Sequence, residues 1–223
     1  MAIILSVSPE TFPQALPKVK QCLAQGGVLA VGTESFYGLA ANALDPLAVA
    51  RVAKLKGREP DKPILVLISD RSHLKSLVEK ISPAAEILMN RFWPGPLTLV
   101  FPARVGLPSP LVSHTFMVGV RLPALAALQS VLKESGPLTG TSANRSGEPP
   151  ACSALEVKKQ LGGEIDLILD TGPSPGGLPT TVVSVDEPIT VLRPGLVPKV
   201  DLETVLGSHG YQLHGLDEPP PTR

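Results

Sequence analysis

The sequence predicts an α/β fold, a twisted mixed β-sheet with surrounding helices, and three observations carry that prediction. Apolar runs of strand length alternate with helix-length segments that open on capping residues. Some of those runs are apolar throughout rather than alternating, which suits strands covered on both faces. Hydrophobic residues make up 43% of the 223, enough for one large core, and no internal repeat divides the chain. Residues 3–7 read as a short buried strand. Ser8, Pro9 and Glu10 then supply an N-cap, a first helical position and an acid matched to the helix dipole, so a helix runs to about Gln25, where Gly26-Gly27 ends it. The next strand spans residues 28–31. Asp45-Pro46 repeats the cap signal and starts a helix through Ala50, Val52 and Leu55 that stops at Gly57. Residues 64–68 form a continuous apolar strand. A helix over 82–92, strands at 97–101 and 117–120, a helix over 124–133 and a strand at 138–141 follow. A helix at 156–161, strands at 167–169, 181–185 and 189–192, and a short helix at 202–206 complete the order. The organisation predicted is one domain over residues 1–200, then a short C-terminal helix and a loose Pro-rich tail over 201–223.

Charge and composition exclude several classes. Twenty Lys and Arg balance twenty Asp and Glu, the pI is near 6.9 and 18% of residues are charged. That balance argues against holding nucleic acid by broad phosphate neutralisation and leaves room for a local basic pocket. The 25 prolines and 20 glycines stay below the roughly 25–30% that marks low-complexity disorder. Cys22 and Cys152 stand alone, with neither a CxxC nor a Cys/His spacing for zinc, so a reducing compartment is expected. The apolar start lacks a basic n-region and no apolar run reaches the ~18 residues of a membrane span, so the expectation is a cytoplasmic protein with no membrane partner. His73, His114, His209 and His214 are scattered without metal spacing, and GxSxG, GxxxxGK[ST] and a usable GxGxxG are all missing. Trp93, among prolines, reads as a packing residue. Zinc hydrolases, triad hydrolases and the commonest nucleotide folds are disfavoured, though nucleotide binding itself is not.

Four segments concentrate groups that can hold an anion, and all sit near predicted strand ends, where ligands collect in open α/β sheets. Thr33-Glu34-Ser35-Phe36-Tyr37-Gly38-Leu39 clusters hydroxyls after a strand, with Tyr37 a candidate wall; its plain alternative is a polar turn. In Lys54-Leu55-Lys56-Gly57-Arg58-Glu59-Pro60-Asp61-Lys62-Pro63, Lys56 and Arg58 flank a glycine and could clamp phosphates, or could simply complement a helix C-terminus. Thr139 to Gly147 could line a backbone nest, with Ser142 and Asn144 reaching a phosphate or ribose, or could be an Asx-capped turn. Arg121 and Arg193 each follow an apolar run, so each needs a carboxylate or phosphate partner, from a substrate or from the protein.

Taken in order, Thr33 to Leu39, Lys56-Gly57-Arg58, Val118-Gly119-Val120-Arg121-Leu122-Pro123, Ser142-Ala143-Asn144 with Ser146-Gly147, Thr180-Thr181-Val182-Val183 and Arg193-Pro194-Gly195 closely resemble the YrdC/Sua5 family. Each motif alone is unspecific; six in series, from about Pro9 to Gly195, are highly specific. The resemblance implies a deep positive cavity and the single-domain form of the fold. It implies threonylcarbamoyl-AMP synthase activity, in which L-threonine, bicarbonate and ATP give threonylcarbamoyl-AMP and pyrophosphate for the t6A37 modification of ANN-decoding tRNAs. Carried over by position, it puts Thr33, Arg121 and Thr180 on threonine. It puts Arg58, Lys62, Ser142, Asn144 and Arg193 on ATP, with Lys56 and Arg58 the catalytic pair. ATP use implies Mg²⁺, whose ligands stay unassigned, and the product implies a downstream tRNA threonylcarbamoyl-transferring partner. Gly32, Glu59 and Leu67 depart from the family pattern in ways that bear on the shape of the threonine site. Two alternatives remain: a double-stranded RNA-binding or ribosome-maturation module, with direct RNA contact left open, and a carbamoyl-adenylate-forming relative such as those of hydrogenase maturation.

Overall fold

A computed structural model describes residues 2–8, 10–57 and 62–215. In chain order its first half comprises β1 (Ile3–Ser6), α1 (Phe12–Ala24), β2 (Leu29–Gly32), β3 (Tyr37–Ala40), α2 (Pro46–Lys56), β4 (Leu65–Leu67), a 3₁₀ turn (Arg71–His73), α3 (Leu74–Leu77) and α4 (Pro83–Phe92). Then come β5 (Leu97–Pro102), α5 (Ser109–Val112), β6 (Met117–Arg121), α6 (Ala126–Ser135), β7 (Leu138–Ser142), α7 (Ala154–Leu161), β8 (Leu167–Asp170), β9 (Thr181–Ser184), β10 (Thr190–Arg193) and α8 (Lys199–Gly207). The strands form one ten-stranded sheet in the order β1-β8-β2-β3-β7-β4-β6-β5-β9-β10. Pairing is parallel at β1/β8, β8/β2, β4/β6 and β5/β9 and antiparallel at the other five junctions, the mixed sheet that the sequence predicts.

Local signals explain most elements. Asp45 caps α2 by accepting from Leu47 and Ala48 N–H, Pro46 fills its first turn, and Gly57 ends it in the left-handed conformation. Ser82 does the same for α4, accepting from Ala85 N–H. In α1 the buried residues Ala15, Val19 and Leu23 recur every four positions and form one apolar stripe. Its start differs from the prediction: the N-cap is Thr11 and the helix opens at Phe12-Pro13, three residues later. Ser8 instead exchanges hydrogen bonds with Thr11, and Pro9 lies outside the described residues. β1 is not a buried strand either. It forms the sheet's edge beyond β8, with Ile3 58% exposed.

Two apolar clusters cover the two faces of the sheet. One joins α1 and α6 to Leu29, Val31, Ala40, Leu67, Leu138 and Leu169. The other joins α2, α4, α7 and α8 to the alternate residues, among them Ala30, Leu39, Val66, Leu99 and Ile168. The α1/α6 cluster takes no residue from β5, β6 or β9, so among the described residues α1 and α6 leave that half of the face open. The boundary drawn at residue 200 coincides with no break in packing, because Leu202 and Leu206 of α8 are fully buried in the main core. Beyond α8, His214 pairs with β10, donating to Ile189 O and accepting from Val191 N–H. Of the predicted tail, residues 216–223, with the Pro-rich end, lie outside the described residues.

Candidate active site

A cavity of about 940 Å³ opens where the α1/α6 layer stops. Its floor is the sheet itself: Leu65 and Leu67 of β4, Met117, Gly119 and Arg121 of β6, Thr98 and Val100 of β5, and Val182 and Ser184 of β9, each set two residues apart and so on one face. Gly140 of β7 completes it opposite Leu65, and a β-carbon there would come within 2.6 Å of Leu65 Cδ1 and 2.8 Å of Leu67 Cγ. The expected place was the carboxyl ends of the strands. In a sheet whose neighbours run both ways those ends share no edge, and the motifs instead form the rim of a face.

The Lys56 corner is built by α2 and the loop after β7. Lys56, 8% exposed, directs Nζ to Ser142 O (2.9 Å), Asn144 O (2.8 Å) and Asn144 Oδ1 (2.6 Å), with Ser142 Oγ at 3.3 Å. An ammonium has three protons, so these acceptors engage all of them. Asn144 is equally occupied: its amide nitrogen donates to Arg145 O and Glu148 O. The structure therefore brings Lys56, Ser142 and Asn144 together, with Lys56 and Asn144 shaping the loop. Lys62 stands exposed on the rim, and Arg58 lies outside the described residues.

At the first loop, the Thr33 hydroxyl donates to Phe36 O (2.7 Å) and accepts from Ser35 and Phe36 N–H, so it folds its own turn at the cavity wall. Tyr37 belongs to a strand the sequence reading missed and is fully buried, with its hydroxyl donated to Gly172 O at 2.7 Å. Arg121 finds its carboxylate within the protein: Nη2 meets Glu34 Oε2 at 2.5 Å while Nε donates to Gly95 O at 3.0 Å. Glu34 Oε1 also accepts from Ala124 and Leu125 N–H just before α6. Among the described residues Nη1 of Arg121 has no hydrogen-bond partner. Burial pushes the Arg121 pKa down from its ordinary value and Glu34 opposes that shift.

The resemblance assigns Thr180 and Arg193 to different substrates, yet the structure joins them. Arg193 donates through Nε and Nη2 to Thr180 O (3.3 and 3.0 Å) and through Nη2 to Thr180 Oγ1 (3.1 Å). Gly195 makes this possible, since a β-carbon there would collide with Pro179 O and with the Thr180–Thr181 backbone. Thr180 Oγ1 also lies 3.0 Å from Thr98 Oγ1. Sequence reasoning missed Thr98 and gave Glu34 no role. The available signals were a hydroxyl inside an otherwise apolar strand and an acid beside Thr33.

Among the described residues the lining contains Lys56, Lys62, Arg121 and Arg193 and no Asp or Glu, with Glu34 pairing Arg121 from outside it. Those residues also hold no cluster of three His, Cys, Asp or Glu suited to a metal. No described helix is long and apolar enough to cross a membrane.

Comparison with known proteins gives concordant matches. The family Sua5/YciO/YrdC, described as "Telomere recombination", matches residues 21–195. Threonylcarbamoyl-AMP synthase of Pyrococcus abyssi is 37% identical over 209 residues, covering 93% of this chain and 62% of the relative. A putative threonylcarbamoyl-AMP synthase of Mycobacterium tuberculosis is 33% identical and covers 93% of this chain and 96% of its own length. The crystal structure of P. abyssi Sua5 complexed with L-threonine superposes with a TM-score of 0.86 at 35% identity, over 96% of this chain and 62% of that one. The chain thus spans about three fifths of the length of the archaeal relative.

Proposed function

The chain belongs to the Sua5/YciO/YrdC family, and on that premise we propose that it makes L-threonylcarbamoyl-AMP and pyrophosphate from L-threonine, bicarbonate and ATP. The observation that carries the reading is one cavity, near the top of the roughly 300–1,000 Å³ range of small-molecule sites, with cations at its separate corners. It has room for an amino acid and a nucleotide side by side. The reaction is a nucleotidyl transfer. The threonine nitrogen bonds to the bicarbonate carbon with loss of water, a carbamate oxygen attacks the α-phosphorus, and the bond to the β-phosphate oxygen breaks to release pyrophosphate. Such chemistry needs alignment and charge neutralisation more than a side-chain nucleophile, which fits a lining of Lys, Arg and Thr.

Arg121 and Thr180 are the threonine-side groups in this reading, with Thr33 shaping the wall beside them. Lys56, Ser142, Asn144, Lys62 and Arg193 surround the nucleotide, and Arg58 joins them by its place in the Lys56-Gly57-Arg58 segment. The lining offers Mg²⁺ hydroxyl and carbonyl oxygens but no described carboxylate, so the ion would enter on ATP, held by phosphate oxygens and water and offsetting their charge. The product would pass, in the cytoplasm, to an enzyme that transfers threonylcarbamoyl to adenosine 37 of ANN-decoding tRNAs. The test is pyrophosphate release by the purified chain with ATP and Mg²⁺, adding threonine and bicarbonate singly and together. Release that needs both supports the proposal; background release from folded protein overturns it.

A further inference from the structure

We propose that Thr98 is a positioning residue that turns the Thr180 hydroxyl into a fixed hydrogen-bond donor to a carboxylate oxygen of the amino-acid substrate. The argument is one of proton placement. Thr98 is 1% exposed, and its Oγ1 has one hydrogen-bond partner among the described residues, Thr180 Oγ1 at 3.0 Å. Thr180 Oγ1 already accepts from Arg193 Nη2 at 3.1 Å. A hydroxyl donates once and accepts twice. If Thr180 donated to Thr98, the Thr98 proton would be left without a described acceptor at the more deeply buried of the two hydroxyls, the costly arrangement for a buried polar group. If Thr98 donates, both lone pairs of Thr180 are filled, and the hydroxyl proton left to turn to the cavity belongs to Thr180, the more open of the two lining hydroxyls at 5% exposed.

The same wall supplies a second donor, and the carboxylate beside it, Glu34, is already engaged by Arg121 Nη2 and by Ala124 and Leu125 N–H. Leu99 pairs with Val120 and Val100 with Gly119, so the register sets Thr98 opposite Arg121, whose Nη1 is unpartnered among the described residues. A guanidinium N–H and a hydroxyl with its acceptor capacity used up call for a ligand group that only accepts and carries negative charge. In the proposed reaction that group is the threonine carboxylate, so the identity of the ligand rests on the function proposed above, whereas the direction of the relay does not.

Two measurements separate these. In a neutron structure of deuterium-exchanged crystals, the Thr98 deuteron should lie on the line to Thr180 Oγ1, with the Thr180 deuteron turned to the cavity. The reverse orientation overturns the relay, whatever the protein catalyses. In pyrophosphate-release assays Thr98→Val should raise the KM for threonine about tenfold while leaving that for ATP within about twofold, and Thr98→Ser should restore it. Thr98→Val combined with Thr180→Val should be no worse than Thr180→Val alone. Effects that multiply in the double variant, or a rise confined to ATP, overturn positioning through Thr180.

Discussion

The two corners of the cavity hold similar residues and use them in opposite ways. At the Lys56 corner the cation and the Asn144 amide are engaged by protein acceptors and donors, and the groups hold the loop after β7 against the end of α2. At the Arg121 corner the protein partners fill only part of each fork, and Nη1 of Arg121 and of Arg193 have no described partner. A motif residue can therefore matter by building the wall or by meeting the ligand. The count of donors left over distinguishes the two.

Substitutions can break that contrast. The largest effect is expected for Lys56→Ala, which removes hydrogen bonds from one charge and leaves buried acceptors behind. A cost on the order of 3 kcal/mol would lower Tm by about 6–12 °C and abolish pyrophosphate release. An inactive variant with unchanged Tm would move Lys56 to the ligand-meeting class. Next comes Arg121→Ala, with a loss of about 30- to 150-fold in kcat/KM for threonine, the worth of roughly 2–3 kcal/mol, and little change in KM for ATP. Unchanged threonine dependence would remove Arg121 from that site. Glu34→Gln keeps the shape but weakens the hold on Arg121, so about a tenfold rise in KM for threonine is expected in steady-state assays, with kcat less affected. The smallest effect belongs to Lys62→Ala on the exposed rim: at most about a fivefold rise in KM for ATP, fading at high salt. A salt-independent loss would place Lys62 in a closed contact.

Much of this was legible in the sequence because its signals are local. Asp45-Pro46 with Gly57 and Ser82-Pro83 mark helix boundaries through bonds made within four residues, and the structure uses them. β3 was not legible: its pairing with β2 across a short turn and with β7 about a hundred residues away is set by the sheet, while its polar approach looks like a loop. The motifs placed Lys56, Ser142 and Asn144 in one pocket. They could not show that Glu34 reaches Arg121 across 87 positions, or that Thr98 lies beneath Thr180, since neither contact leaves a periodic trace. The position of the cavity was misjudged for a topological reason, the rule about strand ends belonging to sheets whose strands run one way.

The floor of the cavity draws on β7, β4, β6, β5 and β9, neighbours in space that come from residues 65 to 184 of the chain. Consequently there is no partly formed version of the site for a partly folded chain to offer. Binding is coupled to the whole folding transition: a ligand that recognises only the native sheet, at a hundred times its Kd, would add about 2.7 kcal/mol to global stability. The melting temperature then becomes a titration of occupancy, and a destabilised variant would gain from its substrates in the cell what it had lost in its core.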